Sequence, residues 1–397
     1  MEYQKRIFDE GLRNVKNNVL KFVLLKIEHC NANDSVNFSD AYLKYKVIRD
    51  EIGVDKHNKA KILSLRFTTL FRNGLKLLSD LENSDTKFET LELYEKTAIQ
   101  LLNDFFKNVD HHEESLQKVF SRNSVSETDL TIGLAEHLLG RLAPGHEYIV
   151  NHKVKGKCKC GCGVEPKFES TGIGHEAVWH GHIDVIFSSR LGPPSSDVAV
   201  KTVDRWEQDV HPDEDEEQTS TPGKKRKRDG DFEESNISHG DKSIAEVKHT
   251  SSGARQQTLA QTIVFSLLQK QKHPDSKNFL VPNILISPEE VQIVMYDAEY
   301  DVLLCSNIIK LFDPVAYCLI PETMIILWMV FHYPMFCTGL PFQILPMIHE
   351  YRSHFKELAE AKWDIYSKSL RSCVSGFPVI DEEIDYRTDF LYTKNIC

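Results

Sequence analysis

The sequence predicts an α/β protein, and three observations carry the prediction. Apolar residues recur at helical spacing through much of residues 1–122, and short apolar runs of strand character recur between 147 and 296. An amphipathic helix at 255–271 interrupts those runs, a pattern that gives one mixed sheet with helices packed against it. The chain then divides into a helical N-terminal domain at 1–122, a mixed-sheet domain at 124–299 and a mostly helical C-terminal region at 300–397. At 397 residues there is enough chain for two or three domains and a sizeable core.

The elements follow in order. Leu12, Val15, Val19, Phe22, Val23 and Ile27 trace one helical stripe; Ile62, Leu65, Leu70, Leu75 and Leu78 trace a second. Phe88, Leu91, Tyr94, Ile99, Leu102 and Phe106 mark a third, and such stripes bury against one another as a bundle. Ser126-Glu127-Thr128-Asp129 has capping-box form and opens a helix through Leu130, Leu134, Leu138 and Leu139. Gly140 stops it, and Pro144-Gly145 makes the turn.

Strands are expected at 147–154 and 180–187, then at 243–249. Between the last two lies an insert at about 188–242, rich in Pro, Ser, Asp, Glu and Lys, whose composition supports no packed core and reads as mostly disordered. The helix at 255–271 buries Leu259, Ile263, Leu267 and Leu268, and strands at 282–287 and 291–296 are joined across Ser287-Pro288-Glu289-Glu290. The order is αβββαββ. Residues 323–349 lack charged side chains for longer than a membrane span needs. Pro334, Gly339, Pro341 and Pro346 break that stretch and favour a buried helix and loop, so no membrane partner is expected.

Composition narrows the function. A net charge of -11 excludes a histone-like, wholly basic binder but leaves room for a local basic groove. Nine cysteines, an odd and mostly scattered set, together with an N-terminus of no secretory character, point to a reducing, intracellular setting. No Gly-rich phosphate loop, His-Glu-x-x-His or Gly-x-Ser-x-Gly occurs, which removes the common NTPase, zinc-protease and esterase readings.

What remains is a set of charged residues in strand settings. Asp184 ends Gly181-His182-Ile183-Asp184 within an apolar run, and Glu246 and Lys248 stand in Ala245-Glu246-Val247-Lys248. Strand side chains alternate, so Glu246 and Lys248 share a face while Val247 packs inward. On neighbouring strands, the two carboxylates converge on a hard divalent cation, Mg²⁺ or Mn²⁺, with Lys248 set to stabilise charge on a scissile phosphate. Acid-x-Lys triplets also occur at Asp85, Glu165, Asp275 and Glu360, but only the one at Glu246 has a strand pattern. The plain alternative is an edge strand with solvated charges.

With Gln261 and Phe265 on the following helix, these residues resemble the PD-(D/E)xK nuclease superfamily, closest to its RecB-like and lambda-exonuclease-like branch. The resemblance covers about 124–297. It implies a restriction-endonuclease-like αβββαβ core, Mg²⁺ held by Asp184 and Glu246, an active-site Lys248 and a site-positioning Gln261. Glu136, on the first core helix, is the candidate for a further carboxylate. Phe265 stands where the family usually has Tyr, and the long insert replaces a tight hairpin.

Two other motifs stand out. Lys224-Lys225-Arg226-Lys227-Arg228 beside Pro222-Gly223 reads as a nuclear-import signal, or as a tract that steers DNA. Cys158, Cys160 and Cys162 read first as a hairpin tip with reduced thiols, and second as a structural Zn²⁺ site with His152, His175 or His180 as the fourth ligand. The expectation is a nuclear, Mg²⁺-dependent DNA nuclease. The alternative is a catalytically inactive nuclease-fold protein serving as a DNA-binding or assembly module.

Overall fold

The computed structural model describes residues 2–17, 20–38, 41–45, 47–48, 61–83, 88–121, 125–189, 196–203 and 253–374. The strands are β1 (Lys21–Cys30), β2 (Ala41–Tyr45), β3 (Val47–Ile48), β4 (Lys61–Ile62) and β5 (Ser64–Arg66) in the N-terminal part. Next come β6 (Tyr148–Asn151), β7 (Phe168–Glu169), β8 (Gly172–Gly174), β9 (His180–His182), β10 (Val185–Ser189) and β11 (Ser196–Thr202). The last are β12 (Leu280–Ile286), β13 (Glu290–Asp297), β14 (Val302–Ser306), β15 (Ile309–Lys310) and β16 (Arg371–Ser372). One large mixed sheet runs β2-β1-β14-β13-β12-β11-β10-β6-β7, so the α/β class expected from sequence holds.

The N-terminal part is not the helical bundle expected. Helix α1 (Glu2–Asn17) gives way to β1, which pairs antiparallel with β14 from Phe22↔Ser306 to Leu25↔Leu303. Phe22, Val23, Leu24 and Leu25 are all buried. A strand covered on both faces is apolar at every position, and such a run fits a helical stripe as well as a strand. The second expected stripe is also part strand, with Ile62 in β4 and Leu65 in β5, before helices α2 (Phe67–Leu70), α3 (Arg72–Glu82), α4 (Leu93–Lys107) and α5 (Val109–Phe120) follow.

Helix α6 (Glu127–Leu134) begins where the capping box placed it, with the Asp129 N–H donating to Ser126 Oγ at 3.1 Å. It passes into a π-turn (Ala135–Leu139) and a last turn, α7 (Gly140–Leu142). Helix α8 (Gly253–Lys272) packs on β11, β12 and β13, as its apolar stripe predicts. Helix α9 (Pro321–Phe331) buries Thr323 through Phe331 and packs against α1 at Gly11, where a Cβ would lie 2.7 Å from Pro321 Cβ. Among the described residues no helix is long and apolar enough to cross a membrane.

Two differences decide where the site lies. The run expected as one strand at 180–187 is broken: β9 joins a separate sheet, β16-β8-β9, and β10 starts only at Val185, leaving Ile183 and Asp184 at the break. The second concerns the expected insert. Its residues 196–202 form β11, a central strand, antiparallel to β10 (Val185↔Val200, Ile186↔Ala199) and parallel to β12 (Ala199↔Asn283, Lys201↔Leu285). Averaged composition hides a seven-residue strand between Pro193-Pro194 and the acidic tract, although Val198, Ala199 and Val200 are fully buried. On its other side β10 pairs with β6 (Val185↔Val150, Phe187↔Tyr148), so both edges of β10 are filled by β6 and β11.

Candidate functional site

Asp184 sits at the head of β10, directly across from the end of β11. Its Oδ2 accepts three hydrogen bonds, from Lys201 Nζ at 2.9 Å, the Thr202 N–H at 2.9 Å and Thr202 Oγ1 at 3.0 Å. Lys201 Nζ also donates to Glu127 Oε1 at 3.0 Å, in the first turn of α6. One turn further along α6, Thr131 Oγ1 lies 2.6 Å from Thr202 Oγ1. The Lys201 side chain is only 9% exposed and that of Asp184 15%, whereas Glu127 is 56% exposed.

Burial pushes the Asp184 carboxyl above the usual aspartate range, with the Lys201 ammonium pulling it back. Burial also works against the Lys201 ammonium, but the Asp184 and Glu127 carboxylates more than offset it and hold Lys201 above the ordinary lysine value. The cluster is a lysine held between one buried and one exposed carboxyl group.

The residues expected from sequence fare differently. Asp184 is in the cluster. Glu246 and Lys248 lie outside the described residues, as does the basic tract Lys224–Arg228. The place beside the Asp184 strand expected for 243–249 is held by β11, whose Ala199-Val200-Lys201 puts a lysine against Asp184 and an alanine two residues before it. Gln261 is fully buried on α8, and its Nε2 donates to the His182 carbonyl at 2.8 Å, which anchors the chain two residues before Asp184. Phe265 is buried, and His182 belongs to the small sheet through β9.

Glu136 is not brought to Asp184. Its Oε2 accepts from Tyr148 OH at 2.7 Å, and its other carboxylate oxygen pairs with Arg141. Tyr148 is in register with Phe187, three residues along β10 from Asp184, or roughly 10 Å at strand rise. Burial, then Glu136 itself, pushes the Tyr148 phenol well up, so it stays a donor.

A second cluster lies at the far end of α6. His137, Cys158, Cys160 and Cys162 place one nitrogen and three sulfurs within 4.8 Å of one another. His137 Nε2 is 3.2 Å from Cys158 Sγ, 3.0 Å from Cys160 Sγ and 3.6 Å from Cys162 Sγ. This group can hold a metal ion such as zinc. The fourth member is His137, not one of the histidines expected: His175 Nδ1 accepts from the Ala177 N–H at 3.1 Å, His180 Nδ1 bonds the Val178 carbonyl at 2.9 Å, and His152 stacks edgewise on His182.

Burial lowers the His137 imidazole below its ordinary value. Burial acts against the Cys160 thiolate too, yet the Cys162 N–H and neighbouring thiols hold Cys160 below the ordinary thiol value. Glu136 and His137 are adjacent on the π-turn and serve different partners, Glu136 toward Tyr148 and His137 toward the thiols.

Comparison with known proteins gives no match: no protein-family model, no curated protein and no solved structure matches this chain. Sequence reasoning missed Lys201, Glu127 and His137. A signal existed for the first, since Val198-Ala199-Val200 is a short apolar run, with two β-branched residues, ending in Lys201-Thr202. For His137 the only hint was a cysteine trio one ligand short of a tetrahedral set.

Proposed function

We propose that this chain is a Mg²⁺-dependent nuclease of the PD-(D/E)xK type, with a restriction-endonuclease-like core and with Asp184, Lys201 and Glu127 at its centre. The observation that carries the reading is the position of Lys201 Nζ, 2.9 Å from Asp184 and 3.0 Å from Glu127, on the strand next to the Asp184 strand. The order α6, β6, β10, β11, α8, β12, with β12 parallel to β11, supports it as well. DNA is the proposed substrate, and Lys224–Arg228 the proposed nuclear-import signal. Alanine substitution of that tract is expected to abolish nuclear accumulation of a fluorescent fusion.

The donor set fits a hard cation only in a lean form. Mg²⁺ takes one or two carboxylates and fills its other positions with water and phosphate oxygens. Asp184 commits Oδ2 to three donors, and among the described residues Oδ1 has no hydrogen-bond partner, which leaves that atom for a cation. Glu127, exposed on the first turn of α6, supplies a second carboxylate. Through their shared lysine, the two bonded carboxylate oxygens lie within about 6 Å of each other. Bound there, the ion would polarise the scissile phosphate and lower the pKa of its water. Lys201 would then stabilise the added negative charge of the transition state, a task suited to a compact ammonium. Gln261 fixes the approach to Asp184 through the His182 carbonyl.

Ala199 favours a second reading. It removes a carboxylate from the acid-x-Lys position on β11, as in a nuclease fold retained only for DNA binding or assembly. One assay separates the two. Linear, circular and single-stranded DNA are incubated with wild type, Lys201→Ala, Asp184→Asn and Lys248→Ala, in Mg²⁺, Mn²⁺ or EDTA. Metal-dependent cleavage lost in the first two variants and kept in the third is expected. Cleavage lost only in Lys248→Ala would move the centre to the Glu246 segment. DNA bound but never cut by wild type would establish the binding module.

A further inference from the structure

We propose that His137, Cys158, Cys160 and Cys162 form a structural Zn²⁺ site that clamps the π-turn after α6 to the 152–167 loop. Tetrahedral zinc with bonds of about 2.3 Å to sulfur and 2.0–2.1 Å to nitrogen spaces its ligands roughly 3.5–3.8 Å apart. The His137 nitrogen already lies 3.0 to 3.6 Å from the three sulfurs, and Cys158 and Cys160 Sγ are 3.4 Å apart. Four protein ligands close the coordination shell, which marks a structural rather than a catalytic zinc.

The loop is built as a metal knuckle. The Cys158 N–H donates to the Val164 carbonyl at 2.8 Å, and the Cys162 N–H donates to Cys160 Sγ at 3.3 Å. Gly161 at φ +102° and Gly163 at φ +76° take left-handed conformations that let the chain double back between the sulfurs. Cys158 is buried with Val119 and Ile132 in a small apolar cluster, with Cys160, Val164 and Phe168 at its edge, while Val154 packs on the main core and Lys157 pairs with Glu165 at 3.5 Å.

Charge supports the same ion. Three thiolates and a neutral imidazole around Zn²⁺ carry one net negative charge. Lys153, Lys155, Lys157 and Lys159 alternate along the loop beside it. An anionic centre suits a loop that carries these cations, of which Lys157 also pairs with Glu165.

The clamp has a structural consequence. His137 and Glu127 lie ten residues apart on one continuous helical stretch, about 15 Å at helical rise, so zinc takes no part in chemistry at Asp184. It does fix the helix that presents Glu127 to Lys201 and Thr131 to Thr202.

The test is metal content and coordination in the full chain. Protein purified under reducing conditions without added metal is expected to carry one zinc per chain by elemental analysis. Co²⁺ exchange is expected to give the visible bands of a tetrahedral ion with thiolate-to-cobalt charge transfer. His137→Ala should weaken zinc binding at least about 100-fold, more than loss of an outer-sphere partner does. His137→Cys should retain a full site, which separates loss of a ligand from loss of the fold. The triple variant His152→Ala/His175→Ala/His180→Ala should bind as wild type does. A wild type that takes up neither zinc nor tetrahedral cobalt overturns the proposal, and so does full affinity in His137→Ala.

Discussion

Replacing Lys201 by methionine leaves the Asp184 carboxylate buried without its counter-ion. Removing one partner of a buried pair costs about 3–5 kcal/mol. The lower end applies here, because Asp184 keeps the Thr202 N–H and Oγ1 bonds at 2.9 and 3.0 Å. The exposed Glu127 contact adds at most about 1 kcal/mol. A loss of about 3 kcal/mol is therefore expected at about pH 8.

The sign of its pH dependence follows from Asp184. Burial already holds that carboxyl above the ordinary aspartate value, and loss of the ammonium raises it further. An acid whose folded pKa exceeds its unfolded one costs nothing while protonated in both states. Its penalty grows as pH rises from the unfolded value through the folded one. Lys201→Met should thus come closer to wild type at about pH 5 than at about pH 8. The assay is the urea midpoint of wild type, Lys201→Met and Asp184→Asn/Lys201→Met at both values. The double variant should recover part of the loss, since no charge is left unpaired. A single variant within about 0.5 kcal/mol of wild type at the higher pH would refute the buried pair. A penalty that grows toward acid would refute the linkage.

Three further outcomes are expected. Gly140→Ala places a Cβ 2.6 Å from the Ala135 carbonyl that accepts the Gly140 N–H, so it should cost about 1–3 kcal/mol and weaken zinc binding by displacing His137; unchanged stability and unchanged metal affinity would discount the π-turn. His332 is fully buried with Nδ1 donating to the Trp328 carbonyl at 2.8 Å and Nε2 unpartnered, and burial lowers it from 6.5 to about 4. Stability it contributes above pH 6.5 is lost as pH falls through about 4, up to ~3 kcal/mol, and His332→Phe should remove that slice of the acid-unfolding curve. Asn283, fully buried in register with Ala199, has neither amide atom hydrogen-bonded, so Asn283→Val should raise the urea midpoint by an amount equivalent to about 1–2 kcal/mol, and a fall would show a partner for that amide.

Much of the framework was legible in sequence. The Ser126 cap, the helix through Leu138, the apolar face of α8 and the β12–β13 hairpin all rest on local periodicity and turn chemistry, which a single segment carries by itself. Other elements were not legible. Strand β1 read as helix because both of its faces are covered, and β11 vanished into the average of a long polar stretch. Asp184 was found but its lysine was not. Lys201 follows Ala199-Val200 with no acid two residues before it, so only pairing across β10 singles it out.

The sequence by itself determined the α/β class, the aspartate that ends an apolar run and the close spacing of the three thiols. Tertiary structure alone decided their partners: Lys201 and Glu127 for Asp184, and His137 for the cysteines. The physical reason is range. Alternation, capping and Cys-x-Cys spacing act over a few residues, while strand pairing and a π-turn bring together groups that lie between 17 and 74 positions apart.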